Sequence, residues 1–503
     1  MIGTSFGEWI FIRLSIAFFR YTPLIYIVAI LALTIFGPMS IVFPIICVLF
    51  AALLAEGLFF VFIYGPHLAR LTREAIHPPP LSREERRALF NRCFGNIPSP
   101  ELYLKWWFLG ADLDEIRREN VREFLLWAFF ERGSVDEEGE AIEEELQQYI
   151  SLLEQRLGRR FQDGRGNVKS LRLTLDSIKT TYRSLLWYMV VFLVDEATHL
   201  AFLWHGFKYY RRPRFSAFRV FPPRPQELMP GRQSPAPQLS YWHRPHTADG
   251  KLPVVFFHGI GIGLWTYVRF LAGLHKTNGY EQGSVGVIAI EILPISFRLT
   301  SAIPDKAEFL SQMTAILDHH CWQNFALVSH SYGSVLTTHI LHSPNLQHHV
   351  PSVVLIDPVT IMLHLPNVAY NFTRRKPKRA NEWQLWYFAS TDPGVALCLG
   401  RHFFWRENIL WREELLKSQG TKRNVAVCLS GRDLIVDTAA VAEYLEGNAE
   451  TDLEGVITEE TGGVKVVMFP KLDHAQVFDD SPSRKSVVHM IRSRCDFQES
   501  APP

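Results

Sequence analysis

Residues 21–55 form a run of 35 without a single charged side chain, and most of them are apolar. One helix of that length measures roughly 50 Å, whereas the hydrocarbon core of a bilayer is about 30 Å thick. The run is too long for one upright span. Gly37-Pro38-Met39-Ser40 lies near its middle and marks a natural break. The pattern predicts a helical hairpin over about 21–64, with arms 21–36 and 41–64, inside a membrane anchor of residues 1–76. Arg13 and Arg20 precede the run, and Arg70, Arg73, Arg86 and Arg87 follow it. Positive charge at both ends puts both ends in the cytosol. Arms this short also suit a hairpin that dips into the bilayer without crossing it. Glu56 is expected near the cytosolic end of the second arm, with its side chain reaching the interface. The run far exceeds the 7–15-residue apolar region of a cleaved signal peptide.

The rest of the chain is balanced in charge, with a net of +1 over 503 residues. That balance gives no reason to expect a nucleic-acid partner. Six widely spaced cysteines contain no C-x-x-C pair, which reads as free thiols in a reducing compartment.

Residues 77–210 read as helical. Ser82 followed by Glu85 has the form of a capping box. The aromatic stretches 103–108 and 124–130 read as core, with interfacial seating as the second reading. The acidic stretch 136–145 reads as a solvated face or loop. Residues 185–203 are apolar but carry Asp195, Glu196 and His199. Those groups argue against a third span and for a helix packed on the domain or lying on the membrane. Residues 211–250, rich in Pro and Arg, read as an irregular connector whose arginines are solvated or touch anionic lipid.

From 251 to 495, strand-like runs (253–257, 284–290, 325–328, 353–357, 425–429 and 464–469) alternate with helix-like runs such as 305–319. That alternation predicts a mostly parallel, doubly wound α/β sheet. One strand ends in Ser329-His330-Ser331-Tyr332-Gly333 and a helix-like run follows. Strand, sharp turn and helix is the setting of a nucleophile elbow. Gly333 suits the crowding there; Ser329 stands where a glycine is usual, and is small. Another strand ends in His258-Gly259-Ile260-Gly261-Ile262-Gly263. Its G-x-G-x-G spacing differs from the dinucleotide fingerprint. It suits a turn that aims a backbone N–H at a substrate carbonyl. Downstream, Gly431-Arg432-Asp433 follows one strand and Asp473-His474 follows the last.

Serine, acid and histidine thus fall in that order after successive strands. On these motifs the chain resembles the α/β-hydrolase superfamily over residues 251–495. With the hairpin and the helical region it also looks like a group of fungal membrane-associated hydrolases. The resemblance implies Ser331 as nucleophile, His474 as base, Asp433 as the acid orienting it, and the N–H groups of Ile260 and Tyr332 as oxyanion hole. Asp437, Asp473 and Asp357 are the rival acids. His330 adjoins the serine and is expected to point elsewhere. No metal or other cofactor is expected.

Residues 359–424 show no sheet pattern and read as an inserted lid. It holds Trp383, Trp386, Tyr387, Phe388, Phe403, Phe404, Trp405 and Trp411, and a basic cluster, Arg374, Arg375, Lys376, Lys378 and Arg379. An aromatic cap favours an apolar acyl substrate; the basic cluster reads equally as a lipid-facing patch or a solvated loop. Asn371-Phe372-Thr373 is a glycosylation sequon, silent in a cytosolic domain. The expectation is a membrane-anchored serine hydrolase acting on a hydrophobic or lipid ester. Its catalytic domain faces the cytosol from the endoplasmic reticulum or a lipid droplet. An acyltransferase using the same triad and a non-enzymatic scaffold are the alternatives.

Overall fold

The computed structural model describes residues 2–133, 139–275, 283–417, 422–446, 459–461, 463–496. The acidic residues 136–138 lie outside this set. In chain order the helices are α1 (Phe6–Phe36), α2 (Met39–Phe59), α3 (Gly65–Leu71), α4 (Arg83–Gly95), α5 (Pro100–Trp107), α6 (Arg118–Phe130), α7 (Glu140–Leu157) and α8 (Leu185–Trp204). Then come α9 (Val268–His275), α10 (Lys306–His319), α11 (Gly333–Leu341), α12 (Pro366–Thr373), α13 (Ala380–Leu385), α14 (Pro393–Arg401), α15 (Trp405–Asn408), α16 (Arg412–Leu416), α17 (Thr438–Glu446) and α18 (Ser481–Arg494). The strands are β1 (Lys208–Arg211), β2 (Arg232–Gln233), β3 (Ser240–Arg244), β4 (Val254–Phe257), β5 (Val287–Glu291), β6 (Ala326–His330), β7 (Ser352–Ile356), β8 (Asn424–Ser430), β9 (Glu459–Thr461) and β10 (Val464–Phe469).

All ten strands form one sheet in the order β2-β1-β3-β5-β4-β6-β7-β8-β10-β9. From β5 to β10 every neighbouring pair is parallel, and β3 is antiparallel to both β1 and β5. The strands β4 to β7 are buried along their whole length. Their near-continuous apolar runs are those of strands covered on both faces. The fold is the α/β-hydrolase fold, preceded by apolar N-terminal helices and a helical region, with α12–α16 inserted between β7 and β8.

The N-terminal helices turn at Gly37-Pro38, where the hairpin break is predicted. They are longer than the predicted arms. α1 begins at a capping box made by Ser5 and Glu8, so Arg13 and Arg20 sit inside it. α2 runs through a π-turn, Phe60–Tyr64, into α3. By length and composition α1, the helix Val42–Leu71 and α8 are each able to cross a membrane. At the hairpin tip Leu31, Ile35, Phe36, Phe43 and Val48 stand exposed, as side chains do that are meant for lipid.

Glu56 does not reach for an interface. It is buried, and its carboxylate accepts the N–H of Leu185 at 2.9 Å and the Tyr182 hydroxyl. An acid on the anchor thereby caps the first turn of α8, where the helix leaves N–H groups unpaired. α8 in turn packs Trp187, Tyr188, Val191 and Phe202 inward. Its outer face shows Met189, Leu193, Leu200 and Leu203.

The predicted connector is corrected in two respects. Residues 211–250 are not irregular throughout, since β2 and β3 lie within them and extend the sheet with β1. Arg211, Arg212 and Arg224 are buried and so neither solvated nor lipid-facing, whereas Arg214, Arg219 and Arg232 are exposed. Arg224 is buried and forks onto Glu291 of β5, with 2.8 Å to each oxygen, while its Nε reaches Asp195 of α8 at 3.1 Å. Arg298 holds the same Asp195 at 2.9 Å, and Arg212 pairs with Glu227. Guanidinium and carboxylate match in this forked geometry, and the knot fixes α8 to the sheet.

Removing the central cation leaves buried carboxylates uncompensated, which is far costlier than losing an exposed pair. Arg224→Met is expected to destabilise the protein by about 3–5 kcal/mol, read as a lowered unfolding midpoint of the detergent-solubilised chain. A change indistinguishable from wild type would mean that the knot adds nothing.

Candidate active site

The turn after β6 has the tightest geometry in the sheet. Ser331 sits at φ +51°, a left-handed conformation that a non-glycine residue occupies under strain. The strain brings its side chain out where β6 meets α11. Two glycines make room for it. A Cβ on Gly333 would stand 2.3 Å from the Phe257 carbonyl oxygen of β4. A Cβ on Gly259 would stand 2.8 Å from the Ser331 Cβ. Ser329 is accommodated where glycine is usual because its hydroxyl turns toward α11 and accepts from the Thr337 hydroxyl at 2.9 Å.

The structure brings Ser331, His474 and Asp433 together. Ser331 Oγ lies 2.8 Å from His474 Nε2, and His474 Nδ1 lies 2.6 Å from Asp433 Oδ2. The second oxygen of Asp433 accepts the N–H groups of Ile435 and Val436 at 2.7 and 2.9 Å, which fixes the carboxylate on its own turn. Burial lowers the pKa of the imidazole. The charge and hydrogen bond of Asp433, aided by Asp357 and Asp473, outweigh that and hold it at about 9.

The rival acids have other work. Asp437 accepts the N–H of Ala440 in the first turn of α17. Asp473 accepts the N–H groups of Leu434 and His474 and the Asn381 amide. It thus joins the acid loop, the histidine loop and the lid. Asp357, at φ +44°, takes Ser430 N–H on one oxygen and both Ser430 Oγ–H and Ala475 N–H on the other. Burial, then the neighbouring Asp433, raises its pKa to about 6. It latches the histidine loop to the ends of β7 and β8. Asp357, Asp433 and His474 lie close enough to share a metal ion. Yet the Asp357 oxygens are taken by these donors, and His474 Nδ1 is held by Asp433. His330 turns away from the substrate side, with Nδ1 2.8 Å from the Tyr267 hydroxyl.

The N–H groups of Ile260 and Tyr332 have no backbone acceptor among the described residues. Both residues line, with Ser331, a cavity at the end of the sheet. Its walls are mainly apolar. The lid supplies Val359, Leu363, Phe372, Leu399, Phe403 and Phe404. Trp405 of the lid lines it too. Other lid aromatics serve elsewhere: Trp383 and Trp386 pack toward α1, and Tyr387 lies under Arg183. The basic cluster is partly structural, because Arg375 donates to the Leu434 carbonyl on the acid loop. The Asn371 amide of the sequon donates to the Ile435 carbonyl at 2.9 Å.

One part of the cavity wall is absent from the sequence expectations. Trp107, Trp127, Leu173 and Thr174 of the helical region close it opposite the serine, and Trp127 Nε1 donates to Thr174 Oγ1 at 3.0 Å. Glu131 lines it too, tied to Arg406 at 2.6 Å. The aromatic stretches do form core, but the inner surface of that core is the roof of the site.

No family model and no curated protein matches the chain. Among solved structures it is similar to a membrane phospholipase A described as a bacterial virulence factor, at 12% identity, over 62% of this chain and 93% of that one, TM-score 0.37. It is also similar to carboxyl esterase 2 of the mycorrhizal fungus Tuber melanosporum (16%, 51% and 81%, 0.32). Haloalkane dehalogenase DbeA of Bradyrhizobium elkani is a third (11%, 51% and 95%, 0.33). The fold assignment rests on the chain's own sheet order and elbow.

Gly333→Ala forces a methyl group onto a strand carbonyl that cannot withdraw. It is expected to cost about 1–3 kcal/mol, measured by denaturant unfolding. Full stability in this variant would show that the elbow has slack.

Proposed function

We propose that the protein is a membrane-anchored serine hydrolase that cleaves carboxylic esters of hydrophobic or lipid substrates. The single observation that carries this reading is the unbroken chain of hydrogen bonds Ser331–His474–Asp433 at the floor of an apolar cavity. Ser331 Oγ attacks the ester carbonyl while His474 Nε2 takes its proton. Asp433 holds the imidazole in the tautomer that can accept and steadies the imidazolium. The free N–H groups of Ile260 and Tyr332 receive the developing oxyanion, each worth about 3 kcal/mol in such sites. The imidazolium then protonates the departing alkoxide, leaving an acyl-enzyme. Water enters, gives a proton to His474 and attacks the acyl carbonyl; the bond to Ser331 Oγ then breaks, His474 returns the proton to that oxygen, and the acid is released.

The apolar helices and the arginines flanking the hairpin support an anchor with the catalytic domain on the cytosolic side. A hairpin of this kind suits the endoplasmic reticulum or a lipid droplet. The Asn371 side chain, occupied by the acid loop, fits an unglycosylated domain.

A fluorophosphonate probe is expected to label the wild-type chain in membranes and not Ser331→Ala. Labelling that survives the substitution would assign the nucleophile elsewhere. A folded wild-type chain that never labels would leave a scaffold.

The pH dependence has a definite sign. The base is the neutral imidazole, and Asp433 raises its pKa to about 9, so the labelling rate is expected to climb with pH and level off above that value. Asp433→Asn removes the raising charge. The midpoint is then expected to move to lower pH while the plateau rate falls on the order of a thousand-fold or more. An unshifted midpoint would exclude Asp433 as the partner.

A further inference from the structure

A second cavity adjoins the one at the serine. The two share Leu173, Thr373 and Leu399 as a common wall. Only the thickness of these side chains separates them. The outer cavity is unlike the inner one: Ser177, Lys179, Arg374, Trp386 and Ser390 line it. Its positive charge is only partly neutralised in place. Arg374 meets Asp176 at 2.9 Å, but that carboxylate also serves Arg172. Lys179 is exposed and makes no hydrogen bond or ion pair among the described residues.

The position of the outer cavity is as telling as its charge. Trp386 stacks edge-on against Trp383, at 5.3 Å between ring centres, and the Arg13 guanidinium of α1 lies 3.9 Å over Trp383. Ile12 and Ile16 of α1 seal the same cluster. On the opposite side of these α1 turns Phe6, Phe11, Leu14 and Phe18 are exposed. An apolar outer face with Trp and Arg beside it is the composition of a membrane–water boundary. The outer cavity therefore lies where the anchor leaves the bilayer.

We propose that the two cavities are one path by which an anionic phospholipid reaches Ser331 from the membrane. This rests on the serine-hydrolase reading above. Lys179 and Arg374 hold the phosphate in the outer cavity through charge-assisted hydrogen bonds. The ester and acyl chain pass Leu173, Thr373 and Leu399 into the apolar chamber. Trp386 and the hydroxyls of Ser177 and Ser390 line the level at which headgroup gives way to chain. Lys179 and Arg374 set specificity and take no part in bond breaking.

The test uses the full chain reconstituted in vesicles of ether-linked phosphatidylcholine, which offers no ester. A trace of phosphatidic acid or of diacylglycerol with the same labelled acyl chains is the substrate. Lys179→Glu is expected to slow phosphatidic acid turnover about ten-fold or more, the worth of one hydrogen bond to a charged group, and to leave diacylglycerol turnover within about two-fold. Leu399→Trp, which fills the common wall, is expected to slow both lipids about ten-fold or more. End-point fluorophosphonate labelling of Ser331 should stay at the wild-type level in Lys179→Glu, and both variants should keep the wild-type unfolding midpoint, which certifies their fold. The proposal is overturned if Lys179→Glu affects the two lipids equally or affects neither. It is also overturned if Leu399→Trp leaves lipid turnover intact, or if a wild-type chain that labels hydrolyses neither lipid. Failure of the wild-type chain to label would instead sink the hydrolase reading beneath it.

Discussion

The close approach of β4 to the turn after β6 governs how the rest of the molecule is arranged. Phe257 O and the Gly333 Cα face each other with no space for a methyl group, and Gly259 meets Ser331 with equal closeness. Backbone contact of this kind forces Ser331 into a left-handed conformation and leaves the Ile260 and Tyr332 N–H groups beside it without a backbone acceptor among the described residues. Such strain persists only where the surroundings over-determine it. Here the surroundings are strands buried on both faces, whose hydrogen-bond ladders admit no slip of register without turning side chains inside out.

Around that fixed turn the titratable groups sort themselves by what they touch. Asp433 spends one oxygen on its own turn and the other on His474. Asp473 spends both on backbone and lid. Asp357 is consumed by Ser430 and Ala475. Three acids on the loops after β7, β8 and β10 thereby fall into distinct roles without differing in chemistry, and only one is left facing the imidazole. Each of the others holds a loop end in register with its neighbour.

Much of the central sheet was legible beforehand because its strands are unbroken apolar runs bounded by turn residues, as in 253–257 and 353–357. The order Ser331, Asp433, His474 followed from where those runs stop. β1 and β3 were not legible. Each is four or five residues long, hidden among Pro and Arg, and built of adjacent aromatic and basic residues such as Tyr241-Trp242-His243-Arg244, with no apolar–polar alternation. The buried arginines were missed for a related reason. Composition assigns Arg to solvent, and only the fold brings Glu291 and Asp195 to the same point as Arg224. The roof over the site could not be read because it depends on which face of a core the serine happens to open upon.

The Glu56 carboxylate on the first turn of α8 has a further meaning. A catalytic unit on a slack tether tumbles, and most of its encounters with a surface are misoriented. Here an acid of the N-terminal hairpin is bonded directly to a helix that the Arg224 knot clamps to the sheet. In the membrane-anchored hydrolase proposed above, height and tilt over the bilayer would then be set once, during folding. Finding substrate would become a two-dimensional problem, diffusion in the plane of the leaflet, with orientation settled before each encounter.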